Sequence, residues 1–169
     1  RFLVNAHAGR GEGLRIDVYG LSISHGDYYR RFSKKKLRLS YVEALLGQRE
    51  EDRYSVLLAH SPAYFGTYDA WGAELTLSGH IHGGIARLPV PFLPAVKNDN
   101  GVSVVRDKKN RLLRGFFSPA FRFFPFYDGG LFHGEKGSMI VGRGLGTHTL
   151  PVRFLNPAEL IVVRLKARA

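Results

Sequence analysis

The stretch SVLLAHSPAYFGTYDAWGAELTLSGHIHGG, residues 55–84, decides the fold of this chain. It opens with the apolar run SVLLAH, Ser55–His60, which is typical of a strand covered on both faces of a sheet. The segment SPAYFGTYDAWG then places Ser61 as an N-cap and Pro62 at the first helical position, and it closes on Gly72, which predicts a helix. AELTLS is a second strand. Strand, helix and strand in this order predict a βαβ unit with two parallel strands.

The sequence on either side of this unit predicts further strands and one more helix. Arg1–Asn5 and Leu14–Leu21 are typical of strands joined by the glycine-rich turn AGRGEG. The segment SYVEALLGQREED has apolar residues at helical spacing, with Ser40 as the N-cap and Glu43 as its capping-box partner. Near the C-terminus, SMIVGRG and ELIVVRL are predicted to be two closing strands, the first preceded by the turn GEKG. No internal repeat is found, so we expect one α/β domain over residues 1–169.

Length and composition limit the classes of protein and of site. A chain of 169 residues with 44% hydrophobic residues is able to bury a core and is expected to be ordered. The absence of cysteine excludes disulfides and thiolate metal sites, so any metal must be held by histidine and carboxylate. The formal net charge of +11 predicts attraction to phosphate-rich partners.

Three histidines are predicted to meet at one edge of the sheet. His60 follows the first strand of the βαβ unit and His80 follows the second, and the carboxyl ends of parallel strands lie at the same edge. His82 is two residues beyond His80, a spacing that directs both side chains to one side of an extended backbone. Neutral imidazole is a common ligand of zinc, iron and manganese, and Gly83 and Gly84 permit unusual backbone dihedrals beside the rings. A polar turn without metal is the alternative interpretation.

The blocks LLAHSPAYF, WGAELTLSGHIHGG and RGLGTHTLPVRFLNPAELIVVRL, between Leu57 and Leu165, resemble in their order the C-terminal half of the calcineurin-like metallophosphoesterases. The resemblance is to the bacterial branch that hydrolyses phosphomonoesters or phosphodiesters on small or lipid-linked substrates. It implies an α/β chain that forms part of a four-layer α/β/β/α sandwich with mixed sheets. It also implies a hydrolase with two divalent metal ions, of Mn, Fe or Zn.

Carried over by motif, the resemblance matches His60 and His80 to ligands of one metal and His82 to a ligand of the other. Ile81 stands where the family often has a polar residue, and we expect this difference to affect packing more than ligation. In the complete enzyme the two ions would lower the pKa of a bridging water and neutralise the charge of the phosphoryl group.

The N-terminal metal motifs of the family, Asp-x-His, Gly-Asp and Gly-Asn-His, are missing from this chain in usable form. Asn5–His7 matches the last motif in letters only, and Gly26–Asp27 is expected to be a turn with His25 exposed. The chain starts inside an expected strand without an initiator methionine, so we expect further residues upstream. The isolated chain is therefore predicted to be incomplete as an enzyme, its general acid is not identified, and an inactive phosphoesterase fragment is an alternative.

Two arginines and one loop histidine are further candidates for contact with substrate. Arg143 in GRGLGT and Arg153 in PVRF are candidate phosphate ligands, although ordinary surface or strand-end contacts are the favoured interpretation. His148, in the same loop as Arg143, is a candidate substrate-binding residue or a plain loop histidine. His133 is expected to be exposed.

The expected partners follow from charge and aromatic content. The first is a phosphorylated small-molecule or lipid-linked substrate. The basic run RRFSKKKLR, Arg30–Arg38, and the seven phenylalanines of Gly115–Phe132 leave a peripheral membrane contact open, with a solvated loop and a β-meander core as alternatives. A basic nucleic-acid-binding module is the alternative function, and its affinity would fall with salt and not depend on metal. No membrane span or signal peptide is recognised, so the expected location is cytoplasmic or membrane-associated.

Overall fold

Ten strands and two α-helices are present in the residues that the structure describes. This computed structural model describes residues 6–9, 15–24, 37–88, 95–97, 103–106, 114–116, 127–147 and 151–166. In chain order the elements are β1 (Ala6–Gly9), β2 (Ile16–Leu21), α1 (Leu39–Leu46), β3 (Tyr54–Ala59), a 3₁₀ turn (Pro62–Tyr64), α2 (Phe65–Trp71), β4 (Leu75–Ser78), β5 (Ala86–Leu88), β6 (Ala95–Lys97), β7 (Ser103–Arg106), β8 (Arg114–Phe116), β9 (Gly130–His133) and β10 (Ser138–Val141).

The main sheet has eight strands in the order β1-β2-β3-β4-β10-β9-β7-β6, and β5 pairs with β8 in a separate two-stranded sheet. The central strands β2, β3, β4 and β10 run parallel to one another, whereas β1 on one side and β9, β7 and β6 on the other pair antiparallel. Leu57 of β3 and Met139 of β10 both lie opposite Thr76 of β4. The predicted parallel βαβ unit is therefore confirmed.

One face of the parallel strands packs against the two helices. Tyr19, Leu57 and Met139 are buried on this face, in one hydrophobic cluster that also contains Val42 of α1 and Trp71 of α2. The rings of Tyr19 and Trp71 make an edge contact with centroids 4.9 Å apart. This cluster fixes the helices on the sheet and holds the strand ends in register.

The opposite face is covered less completely. Tyr54 and Leu58, on alternate positions of β3, are each 38% exposed, whereas Leu57 between them is fully buried. On this face Val56 is buried, so the predicted coverage of SVLLAH on both faces holds at Val56 and is wrong at Leu58. The period-two alternation of a strand sends Leu58 to the less covered side.

The α/β class is confirmed by this mixed sheet with its helices. The four-layer sandwich and the single domain over residues 1–169 stay predictions. No helix in the described ranges combines the length and apolar character that crossing a bilayer requires.

Helix α1 begins one residue earlier than its predicted cap. Arg38 is at the N-cap position, with no side-chain hydrogen bond, and Ser40 lies inside the first turn, so the capping box of Ser40 and Glu43 is wrong. The second helix matches its prediction more closely. Its first turn is the 3₁₀ segment after Ser61, which makes no side-chain cap, and it ends at the left-handed Gly72.

The predicted first and last strands differ from the observed ones. Strand β1 occupies Ala6–Gly9, partly inside the expected turn, while Arg1–Asn5 lie outside the described residues. ELIVVRL is not a strand: residues 159–165 are in no ladder, and Leu160 and Val162 are 80% and 86% exposed. Its apolar residues gave the strand pattern, but a strand forms only where a neighbouring backbone supplies hydrogen bonds.

Candidate functional site

The ends of β3 and β4 bring His60 and His80 into contact. Two hydrogen bonds join the strand ends, from the Gly79 amide to the His60 carbonyl (3.0 Å) and from Ser78 Oγ to the Ala59 carbonyl (2.6 Å). Beyond this junction, Nδ1 of His80 lies 3.2 Å from Nε2 of His60, and the ring centroids are 4.9 Å apart at 71°. The structure thus brings together two of the three histidines at the carboxyl edge, as the sequence predicts.

The spacing of these two nitrogens fits two ligands of one metal ion. With metal–nitrogen bonds of about 2.0–2.1 Å, tetrahedral geometry separates two ligand nitrogens by roughly 3.3 Å. The observed 3.2 Å between His60 Nε2 and His80 Nδ1 is close to that distance, and it is also a hydrogen-bonding distance between two neutral rings. Burial, and then the neighbouring His82, lower the pKa of His60. A lowered pKa favours the neutral imidazole, which is the form that binds metal.

The loop that contains His80 and His82 is left-handed, not extended. His80 and His82 have φ values of 65° and 51°, and Gly83 and Gly84 continue with 74° and 80°. The expectation of an extended backbone at His80 and His82 is therefore wrong. Each non-glycine residue in this region costs roughly 1–2 kcal/mol, so contacts from elsewhere must hold the loop in place.

Asn156 supplies such a contact, and sequence reasoning missed it. Its side-chain Nδ2 donates to the carbonyls of His82 and Gly84, each at 2.7 Å, and the residue is only 1% exposed. A Cβ on Gly83 would lie 2.7 Å from Asn156 Oδ1, so glycine alone fits the position between the two carbonyls. The one sequence signal was the placement of Asn156 in the downstream block RFLNPAEL, and nothing there indicated what its amide would bind.

The ring of His82 is bound on its Nδ1 side by a neighbouring loop. Nδ1 lies 3.1 Å from the Gly146 carbonyl. Nη2 of Arg153 donates to the same carbonyl and to the carbonyls of Arg143 (2.9 Å) and Gly144 (3.2 Å). Arg153 therefore ties together the loop against which His82 rests.

Arg143 is engaged by a carboxylate. Its Nε donates to Glu159 Oε2 at 2.9 Å, and its backbone amide donates to the same oxygen at 3.2 Å. The hydrogen bond from Arg143 lowers the pKa of Glu159, although partial burial opposes this. Both arginines thus make contacts within the protein, and contact of either with substrate stays a prediction.

The remaining candidates lie outside this cluster or outside the described residues. His133 is exposed, as expected, with Nδ1 at 3.0 Å from Ser138 Oγ, and Ile81 is buried at 5% exposure. Outside the described residues lie His148, Asn5, His25, Asp27, the basic run up to residue 36 and the phenylalanines of residues 117–126.

A depression of about 380 Å³ opens beside the histidine pair, at the edge where α/β sheets bind ligands. Its lining is Leu21, Leu58, Ala59, His60, Leu77, Ser78 and Gly79. Within the described part of the chain, no three His, Asp, Glu or Cys side chains form a group able to hold a metal ion. The assignment of His60, His80 and His82 as metal ligands therefore stays a prediction.

Three curated relatives resemble the chain, and all are named uncharacterized metallophosphoesterases. YkuE of Bacillus subtilis is 30% identical over 126 residues, which is 74% of this chain and 35% of the relative. Cj0846 of Campylobacter jejuni is 28% identical, covering 90% of this chain and 32% of the relative. A Helicobacter pylori protein is 26% identical, covering 82% and 30%. The chain thus spans about a third of the length of these relatives. No family model and no solved structure matches it.

Proposed function

Because this chain belongs to the metallophosphoesterase family, we propose that it forms part of a metal-dependent phosphoesterase in which His60 and His80 bind one divalent ion. The observation that supports this best is the 3.2 Å separation of His60 Nε2 and His80 Nδ1 at the carboxyl edge of the parallel strands. The relatives are about three times as long, and we propose that the other ligands come from outside the described residues.

In this proposal the bound metal supplies Lewis-acid chemistry, polarising the phosphoryl group and lowering the pKa of bound water. The protein's own contribution is to present two imidazole rings at a fixed spacing. The pKa of His60 is lowered by burial, so its ring is ready to bind near neutral pH. His82 would bind a second ion, as the family pattern implies, which makes the proposed centre dinuclear.

The proposed substrate is a phosphate ester, either a small molecule or linked to lipid. The net charge of +11 suits an anionic substrate. The depression beside His60 has apolar walls from Leu21, Leu58 and Leu77, which are able to contact a non-polar group next to the phosphate. Action in the cytoplasm or at a membrane surface is consistent with these features.

The test is hydrolysis of bis(p-nitrophenyl) phosphate by the full-length protein in the presence of Mn²⁺. We expect EDTA to abolish turnover and His80→Ala to lower kcat/KM by about 100-fold or more, because a ligand is lost. His133→Ala is the matched control, since this exposed histidine lies outside the cluster, and it should keep normal turnover.

Turnover that survives both EDTA and His80→Ala would refute the metal-dependent mechanism. If the protein shows no turnover but binds DNA or RNA with an affinity that falls steeply with salt and ignores EDTA, the nucleic-acid-binding alternative is correct instead.

A further inference from the structure

We propose that Asn156 and Arg153 are positioning residues that fix the backbone and the ring tautomer of His82. The metal-binding role of His82 rests on the proposed function above, but the positioning itself does not. It follows from the contacts around one histidine: Asn156 binds its backbone carbonyl, and Arg153 binds the Gly146 carbonyl that contacts its ring.

Asn156 fixes the backbone on both sides of Gly83. Both acceptors are carbonyls, so only the amide nitrogen of Asn156 is able to bind them, and its two protons match the two acceptors His82 O and Gly84 O. The three residues from His82 to Gly84 are all left-handed, a run that a chain does not adopt without support. The buried amide of Asn156 provides that support and sets where the Cα of His82 lies.

Arg153 acts on the ring through Gly146. A carbonyl oxygen only accepts, so the short contact of His82 Nδ1 with Gly146 O requires the proton on Nδ1. Neutral His82 then has its lone pair on Nε2. The guanidinium of Arg153 binds the same carbonyl and two others of the 143–146 loop, which keeps the acceptor in place. A metal-binding histidine is usually oriented by a hydrogen bond from its other ring nitrogen, the one that does not bind the metal, often to a backbone carbonyl.

The backbone at Leu155, which lies between Arg153 and Asn156, also indicates that these two residues position His82 together. Leu155 has φ 51°, a left-handed value that persists in a non-glycine residue only where surrounding contacts fix it. Its own side chain is 52% exposed, so the contacts that fix this turn come from its neighbours. They are the side-chain hydrogen bonds of Arg153 and Asn156 and the backbone hydrogen bonds of Phe154 with Ile85 and Arg87.

The test reads the tautomer of His82 directly, by long-range ¹H–¹⁵N NMR of the metal-free, full-length protein labelled on histidine. We expect the wild-type ring to carry its proton on Nδ1 at a pH where it is neutral. Arg153→Met should give a mixture of tautomers, and Arg153→Lys should restore much of the Nδ1–H form, because an ammonium is also able to donate to Gly146 O. Asn156→Ala should likewise give a mixture, because the backbone of His82 moves.

The matched control is Thr67→Val, which removes a buried hydroxyl that donates to the Leu37 carbonyl at 2.9 Å, away from His82. It should lower stability and leave the His82 tautomer unchanged. A wild-type proton on Nε2, or an Nδ1 proton retained in Arg153→Met and Asn156→Ala alike, would overturn the proposal. If Asn156→Ala does not fold, Arg153→Met decides the result, because Arg153 is only partly buried.

A second readout separates this inference from the proposed function. Mn²⁺ affinity, measured by titration, should fall about 10–100-fold in Arg153→Met, the usual cost of losing an orienting partner. If the tautomer shifts as expected but wild-type protein binds no Mn²⁺, the positioning role is correct and the metal-dependent function is wrong. If wild-type protein binds Mn²⁺ but the His82 tautomer is the same in the wild type and both variants, the positioning role is wrong and metal binding is supported.

Discussion

The two halves of the candidate site are held by different kinds of structure. His60 and His80 follow directly from strands β3 and β4, whose positions are set by a parallel ladder over a buried core. His82 lies in a left-handed loop, held by Asn156 and Gly146 from distant parts of the chain. The first half depends on hydrophobic burial, and the second on a few hydrogen bonds from Asn156 and Gly146. Mutations in the core should therefore affect the first half of the site, and mutations in the loop should affect the second.

The largest effect is expected in the core beneath the first half. Leu57→Ala removes a fully buried side chain from β3 and should lower the free energy of unfolding by about 2–5 kcal/mol, from lost burial and a cavity. Leu58→Ala is the matched control, because Leu58 is the next residue on the same strand and is 38% exposed. Leu58→Ala should lower the free energy of unfolding by roughly 1 kcal/mol or less. Denaturant unfolding measures both, and equal costs would contradict the proposed burial of Leu57.

The next effect is expected in the loop of the second half. Gly83→Ala adds a Cβ that would lie 2.7 Å from Asn156 Oδ1 and 3.0 Å from Arg143 Cδ, at φ 74°. We expect a loss of about 2–3 kcal/mol, together with displacement of the Asn156 amide. Gly144→Ala is the matched control: its φ is also positive, 67°, but a Cβ there would make only an ordinary contact, 3.9 Å from His82 Nδ1.

The control isolates crowding from backbone strain. Gly144→Ala should lower the free energy of unfolding only by the conformational cost of a positive φ, roughly 1–2 kcal/mol. The difference between the two variants in thermal unfolding is then the cost of disturbing the contact with Asn156. If Gly83→Ala is no more destabilising than Gly144→Ala, the Asn156 amide does not pack tightly against this loop.

The same contrast explains what the sequence made predictable. Apolar runs and the cap residues Pro62 and Gly72 reveal strands and helices locally, so β3, α2, β4 and the meeting of His60 with His80 followed from pattern alone. The left-handed run at His82 did not, because its dihedrals depend on Asn156, more than 70 residues away in sequence. ELIVVRL failed for the opposite reason, since its local pattern is that of a strand but no neighbouring strand pairs with it among the described residues.

The smallest effect is expected at the outer edge of the second half, where Glu159 holds Arg143. The pKa of Glu159 is lowered by the hydrogen bond from Arg143, so the folded protein favours the carboxylate. The stability it contributes is complete above the pKa of the unfolded state, about 4.3, and is lost as pH falls through the lower folded pKa. Glu159→Gln should therefore cost about 1 kcal/mol at pH 7 and progressively less below pH 4.

The control for this prediction is a fully hydrated ion pair. Asp52 lies 3.6 Å from Arg15, with side chains 67% and 76% exposed, so Asp52→Asn should change stability by about 0.5 kcal/mol or less at either pH. Unfolding curves at pH 7 and pH 3.5 for both variants provide the comparison. A cost of Glu159→Gln that does not shrink in acid would mean that the residue acts through packing, and that its ionised hydrogen bond to Arg143 does not stabilise the loop beside His82.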